Sequence, residues 1–187
     1  MLAAGYRTFV TAVWAAIVLV GVYYVLIRPD VLRDGMLNLS SSSEVLASVA
    51  FLVMGCLRGF TLIPVTYLMP FGLLVLDPLV MFVLTMGGIV VSSASLYYFS
   101  ERLQLAEYFE ARHPRHVERI RRLLERSELP IVIAWSFFPF VPTDLICYVC
   151  GSLGIDVRKL ILGVLVGEGI ICAIYIVLGR QLLASIL

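Results

Sequence analysis

The chain has 187 residues, of which 61% are hydrophobic and only 14% are charged, and its mean hydropathy is +1.00. A soluble domain usually carries about 25% charged residues, so this chain has too little polar surface for a water-soluble globule. The formal net charge of +1 is too small to indicate a nucleic-acid-binding protein. We therefore expect one domain whose solvent is largely lipid.

The first two apolar segments differ in their ability to cross a membrane. Residues 8–27 are uncharged for 20 residues, which is enough for a hydrocarbon core about 30 Å thick. The apolar part of a signal peptide is shorter, about 7–15 residues, so we predict a retained transmembrane helix. Residues 45–57 are apolar for only 13 residues. They span the membrane only if Glu44 and Arg58 lie near opposite interfaces or if the helix continues further.

The third apolar segment, residues 60–76, is uncharged but contains Pro64 and a second proline. Proline removes a backbone donor and clashes with the preceding turn, so a continuous spanning helix is not expected. A broken backbone at membrane depth is tolerated only where protein or a water-filled cavity covers it. We therefore predict a re-entrant hairpin at residues 60–76. A second is predicted at residues 129–150, which contain Pro139 and Pro142.

Two further spanning helices and a charged connector complete the chain. Residues 78–100 carry no charge over 23 residues, and residues 157–178 form the last predicted span, with Glu168 near its middle. Between them, residues 101–128 hold seven Arg and six Glu, with apolar residues at helical spacing. This pattern is typical of amphipathic helices at a membrane surface, and equally of a solvated connector stabilised by salt bridges.

An internal repeat relates the two predicted hairpins, at an offset of 79 residues. The pairs that coincide include Pro64 with Pro142 after a one-residue gap, Gly72 with Gly151, Asp77 with Asp156, and Gly88 with Gly167. The alternative is chance similarity in an apolar chain. If the repeat is real, residues 45–100 and 129–180 are two copies inverted across the membrane, because only one spanning helix separates their turns. Inverted repeats with broken helices are the architecture of many transporters.

The basic residues predict an orientation, since cytoplasmic loops carry an excess of Lys and Arg. If residues 101–128 are cytoplasmic, eleven of the fourteen Lys and Arg lie on that side and both termini lie outside. The predicted fold is therefore all-α and integral to the membrane, with about four spanning helices and two re-entrant hairpins. A face of small residues in the span 78–100 could serve a homo-oligomer as well as an internal contact.

Three charged residues fall at predicted membrane depth, where a charge costs about 3 kcal/mol and is a functional hypothesis by default. Arg58 stands at the mouth of the first hairpin and could hold a phosphate or carboxylate, or anchor the chain at the interface. Asp144 and Glu168 could form a buried ion pair with Arg58. They could also take up and release a proton, because burial disfavours the charged form of an acid.

The remaining candidate residues indicate structure rather than chemistry. Gly72 with Asp77, and Gly151 with Asp156, are predicted to form equivalent turns, and each Asp precedes a helix whose free N–H groups it could cap. Cys147 begins the one CxxC motif, and no second pair accompanies it. No hydrolase, nucleotide-binding or metal-binding motif is present. We therefore expect no enzyme activity, no metal, no cofactor and no nucleic-acid partner.

The motifs at residues 58–64 (RGFTLIP) and 138–144 (FPFVPTD), with Tyr175 and Gly179, resemble the DedA superfamily in their order and spacing. The closer branch is the VTT-domain (SNARE-associated Golgi protein) type, and the likeness covers residues 45–182. The resemblance implies two facing re-entrant hairpins and movement of lipids between leaflets. Bacterial members of the family are linked to undecaprenyl-phosphate recycling, and eukaryotic relatives are phospholipid scramblases.

Family membership would also assign site residues and a location. Carried over by position, the residues that would line the lipid path are Arg58, Pro64, Pro139, Pro142 and Asp144. Relatives often have Arg three residues before the first proline of the second hairpin, where this chain has Ser136, so Arg58 would have to hold the headgroup phosphate. Glu168 is not part of the family pattern. A multi-pass protein of the cell membrane, in particular a bacterial inner membrane, is expected.

The leading hypothesis is therefore a lipid scramblase or flippase for an anionic phospholipid or undecaprenyl phosphate, with proton coupling at Asp144 or Glu168 as one option. Membrane lipids would be its partners. Two alternatives remain: a secondary transporter of a small solute or ion, and a non-transporting scaffold that uses the amphipathic segment 101–128. The sequence does not distinguish which lipid moves or in which direction.

Overall fold

The computed structural model describes residues 12–13, 16, 19–21, 23–61, 63–102, 114–138 and 142–186. Nearly all of these residues are helical and none of them lies in a strand, so the predicted all-α class is confirmed. The described α-helices are α1 (Pro29–Ser42), α2 (Glu44–Thr61), α3 (Met69–Val75), α4 (Pro78–Arg102), α5 (Pro114–Ser136), α6 (Thr143–Leu153) and α7 (Val157–Ile186). A π-helical turn at Tyr23–Ile27 and a 3-10 turn at Val65–Tyr67 accompany them.

Three of the described helices are long and apolar enough to cross a membrane. They are α2, α4 over Pro78–Glu101, and α7 over Val157–Leu182. The short apolar segment at residues 45–57 therefore belongs to a longer helix, because α2 continues to Thr61. The remaining predicted span is the first in the chain, residues 8–27, and much of it lies outside the described residues.

Local chemistry explains where several helices begin and end. α2 begins directly after Ser43 and ends three residues before Pro64, which disfavours helical backbone in the residue that precedes it. At the start of α4, Asp77 Oδ1 accepts a hydrogen bond from the backbone N–H of Leu79 at 2.9 Å. At the start of α7, Asp156 Oδ1 likewise accepts a hydrogen bond from the backbone N–H of Arg158 at 2.9 Å. These contacts satisfy donors that a helix start leaves free.

The predicted turn glycines need a correction. Gly72 lies within α3 and Gly151 within α6, and the chain turns only after each helix has ended. Close packing accounts for both glycines. A Cβ on Gly72 would come within 2.8 Å of a Phe51 ring carbon, and a Cβ on Gly151 would lie 2.8 Å from the Tyr97 Cα. The turn after α6 instead uses Gly154, whose φ of 67° is in the left-handed region that favours glycine.

α5 crosses the predicted boundary between the charged connector and the second hairpin. Its backbone is non-helical at Ser127, with φ −148° and ψ 43°, and it resumes as helix through Pro130. Pro130 is tolerated because it lies in the first turn after this kink, where its missing N–H has no partner to lose. Residues 103–113 of the predicted connector lie outside the described residues.

The helices pack in pairs around α4. α2 packs against α4, α5 packs against α7, and α4 also contacts α6 and α7. Glycines permit the closest approaches, as small residues do between membrane helices. A Cβ on Gly88 would lie 3.2 Å from Gly55 Cα, and one on Gly163 would lie 2.7 Å from a Val132 methyl carbon. This packing brings the end of α2, the start of α6 and the middle of α7 together.

Candidate functional site

The three charged residues predicted at membrane depth meet in one buried cluster. Arg58, in the last turn of α2, donates from Nη2 to Glu168 Oε2 at 2.9 Å and to Oε1 at 3.3 Å. Its Nη1 donates to Asp144 Oδ2 at 3.5 Å. We call these three side chains the ion cluster. Arg58 is thus held inside the protein by both acids.

Each member of the ion cluster is almost completely covered by protein. Arg58 is 4% exposed, and Asp144 and Glu168 are each 1% exposed. Asp144 is the second residue of α6, where the free N–H groups and the dipole of a helix start favour a carboxylate. Glu168 lies in the middle of α7 and follows Gly167, whose missing side chain lets the α5 backbone approach: a Cβ there would lie 2.7 Å from the Ile133 carbonyl oxygen.

Backbone and hydroxyl groups extend the cluster on the side where α2 ends. Arg58 Nη1 also donates to the carbonyl oxygen of Ile63 at 3.4 Å, directly before Pro64. Gly59 leaves room for the acids, because a Cβ there would touch Ser92 Oγ and lie 3.1 Å from Asp144 Oδ1. The Ser92 hydroxyl of α4, fully buried, thus lies near the Asp144 carboxylate, but it makes no hydrogen bond to any residue that the structure describes.

Ser136 occupies the position where the resemblance to the DedA superfamily led us to expect Arg. It ends α5, is 2% exposed, and its hydroxyl makes no hydrogen bond to any residue that the structure describes. It packs on α7, since a Cβ on Gly167 would lie 2.6 Å from Ser136 Cβ. Arg58 therefore supplies the buried positive charge in this protein, and within the described ranges no other Lys or Arg is buried.

The remaining predicted path residues lie in the segments predicted as hairpins. Pro64 precedes the 3-10 turn and is partly buried, whereas Pro142 precedes α6 and its carbonyl oxygen accepts a hydrogen bond from Trp135 Nε1 at 3.3 Å. Pro139 lies outside the described residues. Asp77 and Asp156 are exposed helix caps, and the structure does not bring them into the ion cluster.

Sequence reasoning missed two parts of the site. The Ile63 carbonyl belongs to the backbone, so no side-chain pattern could have indicated it. Ser92 does leave a signal, because it lies in a run of hydroxyl residues within an otherwise apolar span. That run by itself indicates a small-residue packing face, and nothing in the pattern connects its hydroxyl groups with Asp144.

The charge balance of the ion cluster limits its chemistry. One guanidinium faces two carboxylates, so the cluster has a formal charge of −1 when both acids are ionised. An uncompensated buried charge costs several kcal/mol. The cluster becomes neutral if one acid holds a proton. Among the residues that the structure describes, no group of three His, Cys, Asp or Glu could hold a metal ion.

Comparison with known proteins identifies a family. The family model of the VTT domain matches residues 62–181, which is well over half of the chain and includes Asp144 and Glu168. No curated protein and no solved structure gives a match. With its three candidate spans, the protein is a multi-pass membrane protein. The chain belongs to the VTT-domain family, whose domain is that of the DedA proteins.

Proposed function

We propose that this protein moves lipids between the two leaflets of a membrane and passes their anionic headgroups through the ion cluster. The observation that carries the proposal is the buried Arg58, held inside the protein by two acids from different helices. A guanidinium is well suited to a phosphodiester, because its planar donors match phosphate oxygens. The acyl chains would remain in the bilayer, and no chemical step is involved.

Proton uptake gives Arg58 a way to exchange its partners. With both carboxylates ionised, the cluster already carries excess negative charge and repels an anionic headgroup. When Asp144 and Glu168 are protonated, Arg58 keeps one positive charge that a phosphodiester, with one negative charge, can neutralise. The Asp144 contact at 3.5 Å is longer than the Glu168 contact at 2.9 Å, so Asp144 is the weaker partner and the first to be displaced.

Two short helices support the re-entrant part of the proposal. α3 has 7 residues and α6 has 11. At about 1.5 Å per residue, even the longer one reaches only about half the thickness of a hydrocarbon core. Both are apolar and follow a helix break beside a proline. Each would enter the membrane and return, with its broken backbone covered by the neighbouring helices.

The helix contacts support the inverted-repeat part of the proposal. α2 packs against α4 as α5 packs against α7, and α6 contacts α4 as α3 contacts α7. Gly88 and Gly167, which are 79 residues apart, lie against corresponding helices: Gly88 lies against α2 and Gly167 against the end of α5. Such pairs of units, meeting near the midplane, let a transport site face either side of a membrane.

Liposomes that contain the purified protein and a trace of fluorescent lipid test the proposal. Dithionite, added outside, destroys only the label that it can reach, so protein-free liposomes keep their inner-leaflet label. We expect wild-type protein to make the inner label reachable, and Arg58→Gln to slow this strongly. Arg33→Gln is the matched control, because Arg33 is exposed on α1. Inner label that stays protected with wild-type protein would rule out lipid movement.

The same liposomes separate the alternatives. A small-solute or ion transporter would leave the lipid label protected and would change the internal pH or the trapped-ion content. A scaffold would do neither. The location that follows from the proposal is a cell membrane, in particular a bacterial inner membrane, where headgroup supply and recycling require such movement.

A further inference from the structure

Four arginines form a stripe along the first half of α5. Arg115, Arg119, Arg122 and Arg126 are all exposed, and we call them the arginine stripe. Their spacing of four, three and four residues places them within about 60° of one another around the helix axis. The opposite side of this helix is fixed against the protein, because Leu124 is 3% exposed and belongs to the core. The stripe therefore points away from the protein.

The stripe lies next to a segment that packs among the membrane helices. After the kink at Ser127, α5 continues into Val132, which is fully buried against Gly163 of α7. Glu128, just past the kink, pairs with Lys159 of α7 at 3.2 Å and fixes this junction. The arginine stripe thus ends at the kink, next to the start of α7, which is one of the candidate membrane spans.

The two flanks of the stripe differ in polarity. One flank exposes large apolar side chains, with Ile120 44% and Leu123 55% exposed. The other flank carries Glu118, which pairs with Arg122 at 3.0 Å. A helix that lies in a membrane interface has this arrangement, with apolar residues towards the acyl chains and basic residues at the phosphates. A connector that only packs on the protein would bury its apolar residues as it buries Leu124, whereas Ile120 and Leu123 are left exposed.

The charge of the segment selects an anionic partner. Residues 115–126 hold five arginines and two glutamates, a formal charge of +3. Among the described residues, Arg115, Arg119 and Arg126 form no ion pair, so their charge is available. Each basic residue near an anionic lipid surface increases the affinity of such a segment for that surface by about fivefold.

We propose that the arginine stripe is a binding surface for the headgroups of anionic phospholipids in the adjacent leaflet. It is separate from the ion cluster, and it does not depend on lipid transport, because a lipid can be bound here whether or not one crosses the membrane. The guanidinium groups would contact headgroup phosphates while Ile120 and Leu123 contact the acyl-chain boundary. The stripe would hold the first half of α5 flat on the membrane.

The test compares lipid selectivity in the full-length protein. Protein is reconstituted in phosphatidylcholine bilayers with a trace of spin-labelled phosphatidylglycerol or phosphatidylcholine, and the protein-associated fraction of each is measured by electron paramagnetic resonance. We expect wild type to prefer phosphatidylglycerol by at least about fivefold. The variant Arg115→Gln/Arg119→Gln/Arg126→Gln should lose most of this preference, and the corresponding Lys variant should keep it. The preference should also weaken at high salt.

The matched control carries the same change in net charge elsewhere. Arg33→Gln/Arg158→Gln/Arg180→Gln removes three exposed arginines outside the stripe and should keep the preference of wild type. All substituted side chains are exposed, so the thermal unfolding midpoint of each variant should match that of wild type. Equal preference in wild type and in the stripe variant would show that the stripe is only a solvated face. An equal loss in the control would show that net charge alone is responsible, and would also overturn the proposal.

Discussion

Replacing Arg58 by Met should destabilise the protein more than any other single change in the ion cluster. The substitution leaves Asp144 and Glu168 buried at 1% exposure without their positive partner. Breaking a buried ion pair by removing one partner costs about 3–5 kcal/mol. Here the formal charge of the cluster would change from −1 to −2, so we expect a cost in the upper half of that range.

The charge balance predicts a specific order among the variants. Glu168→Gln removes the closer partner, at 2.9 Å, but it also removes the excess negative charge, and these effects oppose each other. Both Glu168→Gln and Asp144→Asn should therefore cost less than Arg58→Met. The triple variant Arg58→Met/Asp144→Asn/Glu168→Gln removes all three charges and should regain most of the stability that Arg58→Met alone loses.

Unfolding in one detergent at one scan rate measures these differences, because membrane proteins often unfold irreversibly and only matched scans can be compared. The expected order of unfolding midpoints is wild type first, the two acid variants and the triple variant next, and Arg58→Met last. A triple variant no more stable than Arg58→Met would contradict this reasoning, since it would mean that the lost stability did not come from the uncompensated acids.

Three further variants test the packing around the ion cluster, its response to pH and a hydrogen bond outside it. Gly59→Ala should lower the free energy of unfolding by about 1–3 kcal/mol through overpacking, because its Cβ would lie 2.8 Å from Leu96 Cδ1. In the control Gly35→Ala the new Cβ meets no atom within 4 Å. This control should raise the free energy of unfolding by about 0.5–1 kcal/mol, and thermal melts measure both changes. In the liposome assay, lipid movement by wild type should speed up as pH falls, because protonation frees Arg58, whereas Asp144→Asn with Glu168→Gln should show a flat pH profile. Tyr97→Phe removes a 2.8 Å hydrogen bond to the Ile155 carbonyl and should cost about 1 kcal/mol without changing that pH profile; unchanged stability would mean that this bond is not formed.

The members of the ion cluster can be identified from the sequence, but their contact is only one of the alternatives that the sequence leaves open. A charge within an apolar segment is visible in the sequence, which is why Arg58, Asp144 and Glu168 stand out. Their contact joins residues 86 and 110 positions apart. It depends on how α2, α6 and α7 pack around α4, and that packing is a property of the folded chain rather than of any local pattern.

Local patterns fail where tertiary contacts decide the structure. Our sequence analysis does not predict α1, whose glycine and serines are weak helix formers, although Pro29 and Asp30 are typical of a helix start. Met36 in this helix is 3% exposed and packs into the core. Glycine shortly before an Asp is typical of a turn, and this pattern predicts turns at Gly72 and Gly151. In the structure both lie in helices. Glycine is needed at these positions because a neighbouring helix leaves no space for a side chain.

Cys172 provides the most direct test of whether lipid headgroups pass through the ion cluster. This thiol lies one helical turn after Glu168 on α7 and is fully buried. In a protein whose other three cysteines, Cys56, Cys147 and Cys150, are replaced by Ala, a water-soluble methanethiosulfonate is added to liposomes that are moving lipid. We expect Cys172 to become labelled and the labelling to stop lipid movement. Lipid that moves at its full rate while Cys172 is never labelled would contradict passage through the ion cluster.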